Sequence, residues 1–566
     1  LSMPRFQSVV FTAVCSFLLA ACQEESEAPR PEAPIAVTAD TIIATFPVPT
    51  LDTSEINAFF ETHATLLPFA GAVADYYAAG DGKYVWFNTT GVKEQAGFFL
   101  NLLRNLSTEG IDDTLAYSRR SDSLLQIIAG AGYSYSGGDA QTAELELLLT
   151  SQFFAYSDRV YSGLNENTSR SLAWYIRRKH LTLSELLDTL LEQGPEAFVS
   201  VLPLHPQYHL LKEASSQLLR IQDAEWPVLS LPEDVRYLQA GDSSELVAAV
   251  QYRLHLLGDQ DSIVQLGVFD TVTALAVRHF QQRHGLSVDG HAGPFFFREL
   301  NISPATRLQQ LYANMERYRW LGNSMQGSYL LANIPEFKLY VIEEDTLAWD
   351  MNIIVGKAST GTIIFNDELE QVVFSPYWIV PSSIIRNEII PAMIKDKSYL
   401  QRNNMEVYHL QNRQTIAHAG WDWSQWAKSG FPYGIRQRPG AGNALGRVKF
   451  LFPNQYYIYF HDTPTRDLFS RTQRTFSHGC IRLSEPARLA KYLLRNDSTW
   501  NRAAIDSAMY LQQSTYVQLS TPVPVFITYF TCRADSSGTL YWSSDVYGHD
   551  AALIKALKAG AAVAIN

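Results

Sequence analysis

The chain has 566 residues, 46% of them hydrophobic and 18% charged, with a net charge of -12 and an isoelectric point of about 5.6. That length exceeds one hydrophobic core and implies several domains, and the composition excludes a disordered or fibrous chain. The acidic balance argues against a nucleic-acid binder, which needs a concentrated basic surface. Aromatic residues reach 12%; ordinary cores and carbohydrate or peptide grooves both use them. The four cysteines are Cys15, Cys22, Cys480 and Cys532. Outside the leader one internal disulfide is conceivable, Cys480 to Cys532, and it would consume the thiol that the strongest motif presents.

The chain begins with a leader. Val9 to Ala21 is an apolar run of about 13 residues, too short for a bilayer-spanning helix. It ends in Leu19-Ala20-Ala21-Cys22, which resembles the lipobox of a bacterial lipoprotein, cleaved before the cysteine and acylated on its thiol. Residues 1–21 are therefore read as a lipoprotein signal peptide, and Cys22 as the lipidation site. Residues 22–49 continue as an acidic, Pro-rich tether that cannot bury a core. The expected location is the periplasmic side of the cell envelope, anchored to a membrane.

Residues 50–230 read as a helical scaffold domain. Apolar residues recur at helical spacing in Ala96–Leu106, in Ala143–Tyr161 and in Ser184–Leu191, the last followed by the stop signal Gln193-Gly194-Pro195. His205 and His209 sit at a turn into the next helix and read as structural. No cluster of His, Cys and carboxylates suggests a metal, and no cofactor is implied.

Residues 236–302 carry a second pattern. Leu246, Val250 and Leu254 share one helix face, closed by Gly258. Asp270 is placed to cap a helix with Thr273, Val277 and Phe280 inward, and Gly285 ends it. This spacing resembles the peptidoglycan-binding domain 1 family, a small three-helix module. The resemblance implies affinity for wall glycan or stem peptide; the alternative is a structural remnant of that fold.

From residue 303 the character changes. An amphipathic linking helix is expected at 303–326, then a mostly β domain at 327–535 and a C-terminal segment at 536–566. Strand-like runs include Ser328–Ile334, Phe337–Ile342, Met351–Lys357, Gln371–Phe374, Gly446–Phe452, Tyr456–Phe460 and Val523–Cys532. A long insertion at about 384–446 holds Trp421, Trp423 and Trp426 in a Gly- and Ser-containing stretch. Long insertions often lie over sites, so these tryptophans are candidate substrate-capping residues; the alternative is a local aromatic minicore. Arg436, Arg438 and Arg447 follow, for substrate carboxylates or for structure.

The chemistry concentrates late. His461 precedes Asp462, and Ser477-His478-Gly479-Cys480-Ile481-Arg482 follows. The pattern resembles the YkuD-type L,D-transpeptidase domain. Asn333-Ile334-Pro335-Glu336-Phe337, Asn403-Asn404-Met405-Glu406 and Asn443-Ala444-Leu445-Gly446-Arg447-Val448-Lys449-Phe450 resemble its large YcbB-type branch. The branch's order is a helical scaffold, a peptidoglycan-binding module and a catalytic domain with an inserted capping segment. The expected fold class is accordingly multidomain α+β. Asp462 stands where Gly often follows the histidine.

The resemblance implies a cysteine-dependent acyltransferase. Cys480 is the nucleophile and His461 the base, holding a thiolate–imidazolium pair, with His478 as the rival base. Ser477, His478, Gly479 and Arg482 are supporting residues. Amides near Gly479 and Cys480 are candidate oxyanion donors, and Arg482 either lowers the thiol pKa or grips a substrate carboxylate. Cys480 would attack the third stem-peptide residue, release the fourth, D-Ala, and pass the acyl group to a neighbouring stem amine as a 3→3 cross-link. Water as acceptor would make an L,D-carboxypeptidase; loss of chemistry would leave a wall-binding lipoprotein. Peptidoglycan stems and the membrane are the expected partners, and the acceptor is left open.

Overall fold

The computed structural model describes residues 48–88, 91–111, 115–129, 139–178 and 181–564. The leader, Cys22 and nearly all of the tether lie outside the described residues. Among the described residues no helix is long and apolar enough to cross a membrane.

The front half is helical, as its periodicity predicts. Its axis is the helix Ala140–Ser157, capped by the Asp139 carboxylate, which accepts the Gln141 and Thr142 amides. Every side chain from Leu145 to Ser157 is buried. The polar residues inside must therefore satisfy one another. Glu146 accepts from the Tyr77 hydroxyl at 2.6 Å and from the Val85 and Trp86 amides at 2.5 and 3.0 Å. Burial still raises its carboxyl to about 7. The helix Pro206–Ile221 starts at His205, whose Nδ1 accepts the Gln207 amide at 3.1 Å. His205 also stacks on Tyr318, which is a structural role.

The small module has its own core. Glu245–Leu256, Thr271–Arg283 and Pro294–Leu300 pack through Val247, Val250, Leu254, Val277, Phe280, Phe296 and Leu300. Asp270 caps the second helix by accepting the Thr273 amide at 2.7 Å. Thr273, Val277 and Phe280 are fully buried, the face that the spacing marked as inward.

The linking helix differs from expectation. Pro304–Leu321 is not an amphipathic connector: from Leu311 to Leu321 it is buried on all sides. Its charges suggested a solvated face because their partners come from elsewhere. Arg317 pairs with Asp550 at 2.6 Å, and Glu316, which pairs with Arg319 at 2.9 Å, also accepts the Leu164 amide. Removing one partner of such a buried pair costs about 3–5 kcal/mol. Asp550 belongs to the C-terminal helix His549–Ala564, so the last segment completes this core.

Nine strands form the main sheet: β1 (Tyr329–Asn333), β2 (Lys338–Glu343), β3 (Thr346–Gly356), β4 (Phe365–Phe374), β5 (Val448–Leu451), β6 (Phe460–His461), β7 (Thr475–Ser477), β8 (Ile481–Leu483) and β9 (Thr515–Thr528). Their order is β7-β3-β8-β6-β5-β4-β9-β1-β2, and β2 also pairs with β3, which closes the sheet on itself. Alternation decides the two faces. In β5, Val448 and Phe450 are buried while Lys449 and Leu451 are half-buried; in β9, Val517 and Leu519 are buried while Tyr516, Gln518 and Ser520 are exposed. The late strand starts before the expected Val523 and stops at Thr528. Its ladder breaks between Gln518 and Val523, where Pro522 cannot donate to a partner. Cys532 lies instead in a separate ribbon, Cys532–Ala534 with Leu540–Trp542.

The insertion is a subdomain. Trp378–Ile379, Gly434–Gln437, Met405–Tyr408 and Thr415–Ile416 form a second sheet in that order. Its core includes Ile385, Ile389, Met393, Leu400, Val407, Trp423 and Ile435. At its root the Asn443 side chain donates to the carbonyls of Pro376 and Arg438, which ties the outgoing and returning chains together.

Candidate active site

The loop between β7 and β8 presents Cys480. Ser477 fixes its shape: Oγ donates to the Cys480 carbonyl at 2.6 Å and accepts the Gly479 amide at 3.1 Å. Gly479 has φ +120°, a conformation that a side chain opposes. The loop is braced from behind by Thr362, whose Oγ1 donates to the Gly479 carbonyl at 2.8 Å. Tyr547 supports that brace by donating to the Gly356 carbonyl at 2.6 Å and accepting the Thr362 amide at 3.2 Å. The Gly479 amide, expected among the oxyanion donors, is engaged by Ser477. The Cys480 amide is the loop donor left beside the thiol.

Cys480 and Cys532 are both free, Cys480 partly exposed and Cys532 buried. The Cys480 sulfur contacts the Tyr457 carbonyl at 3.7 Å. Tyr457 holds φ +56° and is 85% exposed, so its strained backbone aims a carbonyl at the thiol while its ring faces solvent. Asn454 imposes this shape by accepting the Tyr456 and Ile458 amides, each at 3.1 Å.

β6 carries His461, the expected base. It pairs in parallel with β8, Phe460 opposite Ile481 and His461 opposite Arg482. Registered partners project to the same face, so His461 stands beside Arg482 on the face that carries the thiol. The imidazole is buried, and Nδ1 lies 2.6 Å from the Asp462 carbonyl. A carbonyl only accepts, so Nδ1 carries the proton and Nε2 is left as the basic nitrogen. His461 and Cys480 are in diagonal register, and the thiol's contact is the Tyr457 carbonyl rather than the imidazole.

Electrostatics separate the pair further. Burial first, then the Arg482 charge, lowers His461 to about 3. Burial raises the Cys480 thiol above its ordinary value, against smaller lowering effects from Tyr459, Arg482 and Lys449. Both directions oppose the expected resting thiolate–imidazolium pair. Burial thus disfavours both the thiolate and the imidazolium in the empty site.

The other expected site residues separate into roles. His478 turns away from the thiol and reaches the cap, its Nε2 3.1 Å from the Glu388 carboxylate. Arg482 makes one long bond to Thr465 at 3.4 Å, and its Nε is buried without a partner. Trp421, Trp423 and Trp426 pack on one another and on Phe431 at centroid distances of 5.1–6.2 Å. They build the core of the capping subdomain, and none of their ring contacts is to His461. Arg436 and Arg438 are paired with Glu406 at 2.5 and 2.6 Å, and Arg447 covers the Tyr510 ring. Asp462 fastens the chain returning from the cap: it accepts the Arg447 amide at 2.8 Å and pairs with Arg466 at 2.5 Å.

Two residues join the site that sequence reasoning passed over. Tyr459 stands beside Cys480, and burial first, then the neighbouring sulfur, pushes its hydroxyl well above the ordinary tyrosine range. Lys449 pairs with His461 across β5 and β6. The step of two residues from Tyr459 to His461 is the signal that would have found the first. Lys449 was a lone cation in an apolar strand. A cleft of about 2250 Å³ lies elsewhere, between the small module and the domain that carries the thiol. It reaches Phe476 but not Cys480. Among the described residues no group of His, Cys, Asp and Glu is arranged to hold a metal ion.

Comparison with known proteins follows this geometry. Residues 327–525 match the YkuD family, described as "L,D-transpeptidase catalytic domain". Residues 71–214 match a "Scaffold domain", and residues 243–300 a "Putative peptidoglycan binding domain". A Haemophilus influenzae protein named "Putative L,D-transpeptidase" is 31% identical over 253 residues, 45% of this chain and 49% of that protein. The match thus spans about half the length of that relative. Solved L,D-transpeptidases resemble the chain at low identity. One from Xylanimonas cellulosilytica is 16% identical over 53% of this chain and 100% of its own, TM-score 0.17. One from Mycobacterium smegmatis is 16% identical over 36% and 59%, TM-score 0.18. TM-scores this low carry no argument. The family matches do: this chain carries a YkuD-family L,D-transpeptidase catalytic domain joined to a scaffold domain and a peptidoglycan-binding domain.

Proposed function

We propose that the protein forms 3→3 cross-links between peptidoglycan stems through a thioester on Cys480. The observation that carries this reading is the convergence, on one sheet face, of a partly exposed thiol and a histidine whose tautomer leaves Nε2 basic. Substrate binding turns the thiol from the Tyr457 carbonyl toward His461. Nε2 takes the proton as sulfur attacks the carbonyl of the third stem residue. The Cys480 amide stabilises the tetrahedral oxyanion. Collapse breaks the C–N bond, and His461 returns its proton to the departing D-Ala amine. A neighbouring stem amine then attacks the thioester, gives its proton to His461, and restores the thiol. The neutral resting imidazole suits these proton transfers, since a permanently charged one could not accept.

Anchoring by a lipid on Cys22, a periplasmic site of action and wall binding by residues 243–300 belong to the same proposal. The test is digestion of purified muropeptides followed by mass analysis. Dimers linked 3→3 that vanish in Cys480→Ala are expected. Loss of D-Ala without dimers would replace transpeptidation by L,D-carboxypeptidation. Wall binding with no product from the unmutated protein would overturn both.

A further inference from the structure

Lys449 pairs with His461, and His461 pairs with Arg482. The base therefore stands in one row with a cation on each side. The row continues through Val373 to Tyr516 on one flank and to Ile354 on the other. Val373 and Ile354 are buried and uncharged.

Neither cation has an anionic partner among the described residues. The Lys449 ammonium lies 5.7 Å from the Tyr459 ring centre. Arg482 has one long bond to a hydroxyl, and its buried Nε has none. The nearby carboxylates are engaged elsewhere: Asp462 holds Arg466 and the Arg447 amide, and Glu388 meets His478. A buried donor without an acceptor is costly, and buried cations are normally paired. Burial raises the Cys480 thiol, which disfavours a thiolate as their partner. An anion must arrive with the substrate.

In the proposed reaction the attacked carbonyl is followed by a single residue that ends the peptide. Successive Cα atoms are about 3.8 Å apart, so that residue's free carboxylate lies within one residue's length of the thiol. We propose that Lys449 and Arg482 form a cradle for this terminal carboxylate, so that the site cleaves one residue from a free chain end. A peptide longer by one residue, or amidated, would place an uncharged group against two cations. The inference rests on the reaction proposed above and deepens it.

The experiment compares a tetrapeptide donor with the same donor ending in D-alaninamide, and measures terminal-residue release by the full chain. The unmutated protein is expected to prefer the free acid by about tenfold or more, the size of one charge-assisted contact. Lys449→Met should collapse that ratio to about twofold or less, by raising KM for the acid more than for the amide. Lys449→Arg should retain the preference. Equal use of acid and amide by the unmutated protein would overturn the cradle. So would an equal loss on both donors in Lys449→Met, which would mean that Lys449 only tunes the thiol. Should Lys449→Met fail to fold, the same ratio in Lys449→Gln decides. No release from either donor would overturn the reaction reading, and the cradle with it.

Discussion

A resting thiol without a charged partner should titrate like a buried thiol. Lowering His461 from 6.5 to about 3 disfavours the imidazolium by about 5 kcal/mol, at about 1.4 kcal/mol per pH unit. The Cys480 thiol is raised as well, so moving its proton to the imidazole is unfavourable by several powers of ten in the empty site. The assay is the rate of iodoacetamide alkylation of Cys480 against pH, read by peptide mapping to separate it from buried Cys532. The account expects the rate to keep rising through pH 9, without a thiolate plateau between pH 4 and 8. His461→Ala should leave that profile nearly unchanged while abolishing turnover. A plateau that begins below pH 7 and disappears in His461→Ala would refute the neutral pair and restore the ion pair.

Other consequences concern the supports of the site. Glu146→Gln keeps one acceptor oxygen but turns an amide toward a backbone N–H; thermal unfolding should show a loss of about 1–3 kcal/mol. In the unmutated chain the raised Glu146 carboxyl binds a proton more tightly folded than unfolded. Its contribution is therefore full below pH 4.5 and is lost as pH rises through about 7, and Glu146→Gln should remove that slope from urea midpoints measured against pH. Gly446 has φ +60°, and a Cβ there would lie 2.3 Å from the Asp462 carboxyl carbon. Gly446→Ala should cost at least about 1–2 kcal/mol and lower turnover by displacing Asp462 beside the base. Trp423→Ala should destabilise the capping subdomain by about 3–5 kcal/mol, which limited proteolysis would detect as cleavage within residues 384–446 while the small module stays intact.

The sequence disclosed what is encoded locally. Cys480 and His461 sit in a motif whose residue types state their chemistry. Asp270 announces its helix because a cap acts three residues away. The errors arose where partners are distant. Glu316, Arg317 and Arg319 look solvated until Asp550 and Leu164 fold against them. Arg436 and Arg438 suit substrate or structure in sequence, and Glu406 one strand away pairs with both. The tryptophans of the insertion read first as a lid and second as a minicore, because clustering alone does not say which way rings face. Lys449 and Tyr459 gain meaning only from strand register, which places them around His461 and no periodicity reveals. The opposed shifts of thiol and imidazole follow from burial, which exists only in the folded domain.

The most direct test of the central claim is to trap the acyl-enzyme. The full chain would be mixed briefly with a tetrapeptide donor, quenched in acid, and its digest analysed by mass. The account predicts that the peptide containing Cys480 gains the mass of the tetrapeptide minus one molecule of D-Ala, and that hydroxylamine removes it. An unmodified Cys480 in a protein that still forms cross-links would contradict it.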